Sequence, residues 1–277
     1  MYKLLALDLD GTVLKSDRTI SPILIEKIRI LAEHIPVLIV TGRHHTTARP
    51  YYQQLGLTTP IICCNGTYVY DYQNEQVVEH NALQKDVARQ FVSLAAEHDL
   101  TTVMYVTNAM LHSKYRPLPY VESLSEWANS FPRENRPQIH KINDFHHEIE
   151  HHPHVWKFVV EGKSADHFAG LPFVQQHFNG EYSWTNRIDF ARIGNTKGAA
   201  LAKYLEGKDI LAEQVVAVGD HHNDISMLML AGMGVAMLNA DEAIQQLADR
   251  VTAATNDDDW VLADLIDQLF LSEGEDR

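Results

Sequence analysis

A chain of 277 residues can bury one large core or two smaller ones without covalent staples, and its two cysteines, Cys63 and Cys64, are adjacent in an apolar stretch rather than spaced as a disulfide or ligand framework. With 37 acidic against 23 basic residues the formal net charge is -14, and no lysine or arginine stripe supplies the footprint of a nucleic-acid binder. No run of about 18 apolar residues offers a membrane span, so the expectation is a cytoplasmic protein that acts on a small molecule, with its oligomeric state open.

The opening run KLLALDLD is almost continuously apolar and ends in charge, the pattern of a strand covered on both faces of a parallel sheet. Ser21-Pro22 supplies an N-cap and first turn for the helix ILIEKIRILAEH, and IPVLIVTGR is a second buried strand, so a right-handed β-α-β unit opens the chain. Residues 46–56 read as a further helix. PIICCNGTYVYDY then gives a third apolar strand, which turns at Asn65-Gly66 into an outward hairpin arm of Tyr68, Val69 and Tyr70. After residue 80 the rhythm changes: DVARQFVSLAAEHDL is helical, TTVMYV is strand-like, and VWKFVVEG and EYSWTNRIDFARI read as antiparallel or edge strands. The first pattern returns with the helix GAALAKYLEG behind Lys197, the strand VVAVGD, the helix NDISMLMLAG, the strand GVAML and two final helices. The expected fold is α/β: a doubly wound, mostly parallel Rossmann-like core from residues 1–81 and 188–277, with an inserted α/β domain over 82–187.

Asp8 and Asp10 end the first strand with Gly11 and Thr12 immediately beyond. If strand spacing persists, both carboxylates share one side and the Leu9 carbonyl turns toward the same space. That corner of oxygens suits magnesium with a substrate phosphate completing the shell; the competing reading is a solvated acidic turn, since Asp-Gly is also a turn signal. In Thr41-Gly42-Arg43 the hydroxyl and the glycine N–H can bind two phosphate oxygens, while Arg43 either adds charge or faces solvent. Lys197 opens a helix, where an ammonium beside free N–H groups can meet an anion or stand alone on the surface. In GDHHNDISML, Asp220 ends a buried strand, Asn223 offers an amide and Asp224 a supporting carboxylate; plain helix capping is the alternative. His221 and His222 are adjacent, so on a helix they point about 100 degrees apart, unlike an i, i+4 pair. A histidine lining a pocket is the better alternative to zinc held by both.

Taken in order, ALDLDGT, VTGR, Lys197 and GDHHNDISML resemble the motifs of the haloacid dehalogenase-like hydrolases, and the insertion between the second and third resembles the cap of their Cof-type phosphatases. The resemblance spans residues 3–270, and CCNGTYVYDY, WKF and the GDxxND segment are similar to the bacterial pyridoxal phosphate phosphatase branch. It implies that Asp8 attacks phosphorus to form an aspartyl-phosphate, and that Asp10 protonates the leaving oxygen and then activates water. It implies Mg2+ held by Asp8, Asp10 and Asp220. Phosphate would be bound by Leu9 through its backbone, Thr41, Gly42, Lys197 and Asn223, with Asp224 in support and residues 82–187 as the substrate-specificity cap. Metal and lysine are needed because an anionic nucleophile must approach an anionic phosphoryl group. Arg192, shortly before Lys197, is a further candidate for the substrate's phosphate or an acidic ring substituent. Pyridoxal 5'-phosphate is the leading substrate; a broad sugar-phosphate phosphatase, a phosphomutase and a non-catalytic phosphate-binding regulator are the alternatives, the last opposed by the presence of both Asp8 and Asp10.

Overall fold

The computed structural model describes residues 2–184 and 186–271, with the side chains of Ser183 and Trp184 outside the description. The chain divides into two compact units, unit 1 (residues 1–42, 50–78 and 196–277) and unit 2 (residues 43–49 and 79–195). In chain order, β1 (Leu4–Leu7), α1 (Pro22–Ala32), β2 (Val37–Ile39), α2 (His45–Leu55), β3 (Ile61–Cys63), β4 (Tyr68–Asp71) and β5 (Gln76–His80) come first. Next are α3 (Lys85–Glu97), β6 (Thr101–Val106), β7 (Ala109–Ser113), α4 (Pro119–Asn129), β8 (Ile139–Ile142), α5 (Phe145–His151) and β9 (Val155–Glu161). Then follow α6 (Ala165–Ala169), α7 (Pro172–His177), β10 (Phe178–Trp184) and β11 (Arg187–Arg192). The chain closes with α8 (Lys197–Leu205), β12 (Val215–Gly219), α9 (Ile225–Leu230), β13 (Met233–Ala236), α10 (Glu242–Leu247), β14 (Arg250–Val251) and α11 (Val261–Ile266).

In unit 1 five strands form an all-parallel sheet in the order β14-β13-β12-β1-β2. β1 is interior: Leu4–Leu7 runs in register with Val215–Val218 on one side, and Leu5–Leu7 with Val37–Ile39 on the other. Both faces are therefore covered, which is why the strand reads as an unbroken apolar run. Leu4, Ala6, Leu38, Val215 and Ala217 share one core with Leu201 of α8 and Met227 and Leu228 of α9. The alternate residues Leu5, Leu7, Val37, Ile39, Val216 and Val218 are equally buried, on the side where α1 lies against β2 and α11. Each fully buried leucine contributes about 1.5–3 kcal/mol. The functional consequence is that β1 and β12, far apart in sequence, end side by side.

Two local expectations for unit 1 are corrected. Ser21 precedes α1 with Pro22 in the first turn, but its hydroxyl donates to the Asp259 carbonyl (2.9 Å) instead of capping the helix. The arm after Gly66 is not outward: Tyr68, Val69 and Tyr70 are buried, because β4 pairs antiparallel with β3 in a separate three-stranded sheet β3-β4-β5. Val40 bridges Ile62 in parallel, so the end of β3 runs alongside the end of β2.

Unit 2 is built on a six-stranded sheet, β10-β11-β9-β6-β7-β8, antiparallel except for β7 and β8. One face carries Met104, Val106, Phe158, Val160, Ile188 and Phe190 against Ala88, Phe91 and Ala95 of α3, with Phe91 and Phe158 stacked at 4.4 Å. The opposite alternation mixes buried Val103 and Val159 with polar residues: Lys157 pairs with Asp189 and its ammonium lies 4.7 Å from the Tyr105 ring centroid. β9 is an interior strand rather than an edge strand, hydrogen-bonded to β6 and β11. The junction expected at 187/188 falls inside β11, whose pairing with β9 and β10 keeps it in unit 2 as far as Asn195. Among the described residues no helix is long and apolar enough to cross a membrane.

Candidate active site

The parallel strands of unit 1 end at the residues that carry chemistry, the usual position of sites in open α/β sheets. Asp8 follows β1 directly and its N–H donates to the Val218 carbonyl (3.0 Å), holding it beside the end of β12, where Asp220 follows Gly219. Thr41, just past β2, is fully buried, and its N–H donates to the Ile62 carbonyl (2.9 Å). Lys197 is the first residue of α8, whose N-terminus is capped by the Thr196 hydroxyl accepting from the Ala199 N–H (3.0 Å).

Lys197 is not a surface lysine. Its side chain is 0 % exposed, and Nζ donates to Asp8 Oδ1 (2.6 Å) and Asp224 Oδ1 (2.5 Å). Asp224 is equally buried, and its second oxygen accepts from the backbone N–H groups of Asp220 (3.0 Å) and His221 (2.9 Å). Capping and positioning are thus one act here, since the same carboxylate closes the turn after β12 and holds the ammonium. The turn is tight enough to demand glycine before it: a Cβ on Gly219 would stand 2.5 Å from the Asp224 side chain. Asp220 accepts from the Thr12 hydroxyl (3.2 Å) and from Asn239 Nδ2 (3.3 Å). Asn223 donates through Nδ2 to Asn65 Oδ1 (3.1 Å), while its own Oδ1 is buried with no hydrogen-bond partner.

The charges are crowded. Burial pushes the Asp8 carboxyl well above its usual range, against the pull of Lys197, and Asp224, Asp220 and Asp10 push it further. Asp220 is raised to about 7, first by burial and then by Asp224 and Asp10, with Lys197 and the Thr12 hydroxyl opposing. Burial works against the charge on Lys197, yet Asp224 and Asp8 outweigh it and hold the ammonium above its ordinary value. One ammonium among several carboxylates leaves a net negative site, and a divalent cation is the natural remedy. Oxygens of Asp8, Asp220 and Asp224 lie within 4.8 Å of one another. An all-carboxylate set is suited to a hard divalent cation such as magnesium, and it lacks the nitrogen and sulfur ligands that zinc favours. Asp224 is engaged by the Lys197 ammonium (2.5 Å) and by two backbone N–H groups, whereas Asp220 accepts one longer side-chain bond on each oxygen (3.2 and 3.3 Å), so Asp8 and Asp220 are the residues best placed to hold the ion.

Several expected site residues sit differently. Asp10 is exposed and is absent from this carboxylate group, although its charge acts on Asp8 and Asp220. The Leu9 carbonyl accepts from the N–H groups of Thr12 (3.3 Å) and Leu14 (2.8 Å), so it serves the turn after β1 rather than a ligand shell. Gly42 lies beside Asn65, whose Oδ1 would be 2.8 Å from a Cβ there. Arg43 and Arg192 fall in unit 2: Arg43 donates to the Thr47 carbonyl (3.4 Å) with its guanidinium 5.8 Å from the Trp127 ring, and Arg192 donates to the Ala82 carbonyl (3.3 Å). The rings of His221 and His222 stand at 87° to each other, and His222 Nε2 is 3.4 Å from Asp241, so the two do not converge on one ion. Asn65 is the site residue missed in the sequence, where Asn-Gly reads only as a turn. The available signal was its position: it follows a third apolar strand, as Asp8, Thr41 and Asp220 follow theirs.

The sequence matches the haloacid dehalogenase-like hydrolase family over residues 5–263. It is 40% identical over 260 residues to the pyridoxal phosphate phosphatase YbhA of Escherichia coli (strain K12), covering 90% of this chain and 92% of that one. It is 31% identical over 265 residues to the 5-amino-6-(5-phospho-D-ribitylamino)uracil phosphatase YitU of Bacillus subtilis (strain 168), covering 93% and 94%. The fold is similar to the crystal structure of a haloacid dehalogenase-like hydrolase from Bacteroides thetaiotaomicron, with a TM-score of 0.83 and 28% identity over 98% of this chain and 100% of that one. The family match covers residues 5–263 of this chain, and that span contains the buried aspartate cluster at the strand ends. The chain belongs to the haloacid dehalogenase-like hydrolases, in their Cof-type branch, and is a phosphatase.

Proposed function

We propose that the protein hydrolyses pyridoxal 5'-phosphate to pyridoxal and inorganic phosphate with Mg2+ as its cation. The observation that carries the chemistry is the fully buried Lys197 bridging Asp8 and Asp224 at the end of β1. The substrate rests on the 40% identical relative named for pyridoxal phosphate. Asp8 is the nucleophile: with Oδ1 held by Lys197, Oδ2 attacks phosphorus in line with the ester oxygen. The O–P bond to Asp8 forms as the bond to the leaving oxygen breaks. Asp10, exposed beside the cluster, gives its proton to that oxygen and then takes one from the water that cleaves the aspartyl-phosphate, returning Asp8 and releasing phosphate. Thr41, the Gly42 N–H and Asn223 bind phosphoryl oxygens, Lys197 offsets their charge, and Asp224 holds Lys197 in place. Mg2+ bound by Asp8 and Asp220, when present, would withdraw charge from the phosphoryl oxygens. Unit 2 is proposed to be the cap that selects the organic part of the substrate.

Initial rates of phosphate release from pyridoxal 5'-phosphate, hexose phosphates and flavin mononucleotide, with Mg2+ and with chelator, test the reading. Fastest kcat/KM for pyridoxal 5'-phosphate, lost with chelator, is expected. Comparable kcat/KM across the panel would favour a broad phosphatase, an outcome given weight by the 31% identical relative named for a ribitylaminouracil phosphate. A folded, Mg2+-loaded protein that releases phosphate from none of them would refute the proposal.

A further inference from the structure

Asn65 does more than turn the chain. It lies at the end of β3, which runs parallel to the end of β2 through the Val40 and Ile62 bridge. Cys64 (φ 51°), Asn65 (φ 56°) and Gly66 (φ 87°) are three successive residues in the left-handed region, a run that non-glycine residues adopt only where the surroundings hold them. Those surroundings are the site itself. The Asn65 N–H donates to the Thr41 carbonyl (3.1 Å), and its Oδ1 accepts from Asn223 Nδ2 (3.1 Å) beside the Cα of Gly42. Gly66 approaches the residue before Lys197 so closely that a Cβ would stand 2.2 Å from the Thr196 carbonyl. One buried loop therefore touches Thr41-Gly42, the start of α8 and Asn223.

A second observation points to a ligand. The Asn223 amide is only partly satisfied by the protein: Nδ2 spends one of its two N–H groups on Asn65, which leaves the other as a donor for an anion, and Oδ1, an acceptor, is buried without a partner. A buried amide left in this state calls for an explanation in function, and the bond it does make decides how the rest of it points. We infer that Asn65 is a positioning residue for the phosphoryl group: by accepting one N–H of Asn223 Nδ2 it sets the second N–H of that nitrogen, alongside the Thr41-Gly42 backbone, to donate to a phosphate oxygen. The inference rests on the phosphatase reading above.

The test is a double-mutant cycle of Asn65→Gly and Asn223→Ala, followed through KM and kcat on a monoester that the unsubstituted protein turns over and through the Kd of inorganic phosphate. Glycine keeps the left-handed backbone and removes only the amide. Asn65→Gly is expected to raise KM and the phosphate Kd about tenfold, the size of one lost hydrogen bond to a charged ligand, with a smaller change in kcat. In the Asn223→Ala background the same substitution is expected to add less than about twofold, because its effect passes through that amide. A tenfold effect that persists in that background, or unchanged phosphate affinity in Asn65→Gly, overturns the inference. Should the glycine variant fail to fold, Asn65→Ser, too short to reach Asn223, enters the same cycle with the same expectations. Absence of any phosphate release from the folded, Mg2+-loaded unsubstituted protein defeats the functional reading itself. Additivity with release intact overturns the role of Asn65 alone.

Discussion

Lys197→Met tests whether one ammonium is what allows three carboxylates to be packed together. Nζ lies 2.6 Å from Asp8 Oδ1 and 2.5 Å from Asp224 Oδ1, at side-chain exposures of 0, 7 and 0 %. Methionine roughly keeps the volume and deletes the charge. Removing one partner of a buried pair costs about 3–5 kcal/mol, since the remaining charge is left uncompensated. Here two carboxylates lose their donor together beside a third, so the upper part of that range is expected. At roughly 2–4 °C per kcal/mol for a chain of this size, Tm should fall by on the order of 10 °C at pH 8 in chelator. The pH dependence has a definite sign. Without the ammonium the folded protein holds protons on these carboxylates more tightly than the unfolded chain does, so stability rises as pH falls and the deficit shrinks toward pH 5. Thermal unfolding of both proteins at the two pH values is the assay. A deficit below about 2 °C at pH 8, or one that grows toward acid, would show that Lys197 does not support the cluster.

Three further outcomes follow from other parts of the structure. Gly11 has φ +77° and a Cβ there would stand 2.1 Å from Asp220 Oδ2; Gly11→Ala should lower stability by at least the roughly 1–2 kcal/mol of a left-handed non-glycine residue and weaken Mg2+ binding by calorimetry, and unaltered metal affinity would contradict the place given to Asp220. His44 is fully buried and its pKa is lowered from 6.5 to about 4 by burial, against its bond to the Val106 carbonyl. The unfolded chain takes that proton near 6.5 and the folded chain only near 4, so this contribution is intact above the first value and is lost on acidification, about 3 kcal/mol in all; urea titrations of His44→Gln should show a shallower acid loss than the unsubstituted protein, and equal slopes would refute the assignment. Mg2+ at a hundredfold over its Kd should stabilise the protein by about 2.7 kcal/mol, reversibly with chelator, and Asp220→Asn should shrink that gain; a Tm indifferent to Mg2+ would argue against the site.

The core was legible because buried parallel strands advertise themselves as apolar runs ending in polar residues, as ALDLDGT and VVAVGD do. Which of those polar residues meet was legible only through the motif order, since β1 and β12 become neighbours by a pairing that no local pattern records. Lys197 illustrates the limit: a lysine at a helix start reads as surface until Asp8 and Asp224 are known to surround it. Strand alternation does not foresee the turn that takes up the Leu9 carbonyl, with Thr12 and Leu14 as donors. Asn65 was passed over because Asn-Gly has an adequate local explanation, and its second role depends on Asn223, distant in sequence. The polar partners in unit 2, such as Lys157 with Asp189, carry no motif, and only the antiparallel register of β6, β9 and β11 brings them together.

The central claim is that Asp8 takes the phosphoryl group from pyridoxal 5'-phosphate. Acid-quenched turnover followed by mass spectrometry of the peptide carrying Asp8 tests it most directly, with Asp8→Asn in parallel. A transient phosphoryl adduct on that peptide, absent from a folded and inactive Asp8→Asn, is the expected result; undiminished phosphate release by Asp8→Asn, or an adduct confined to another residue, would contradict the account.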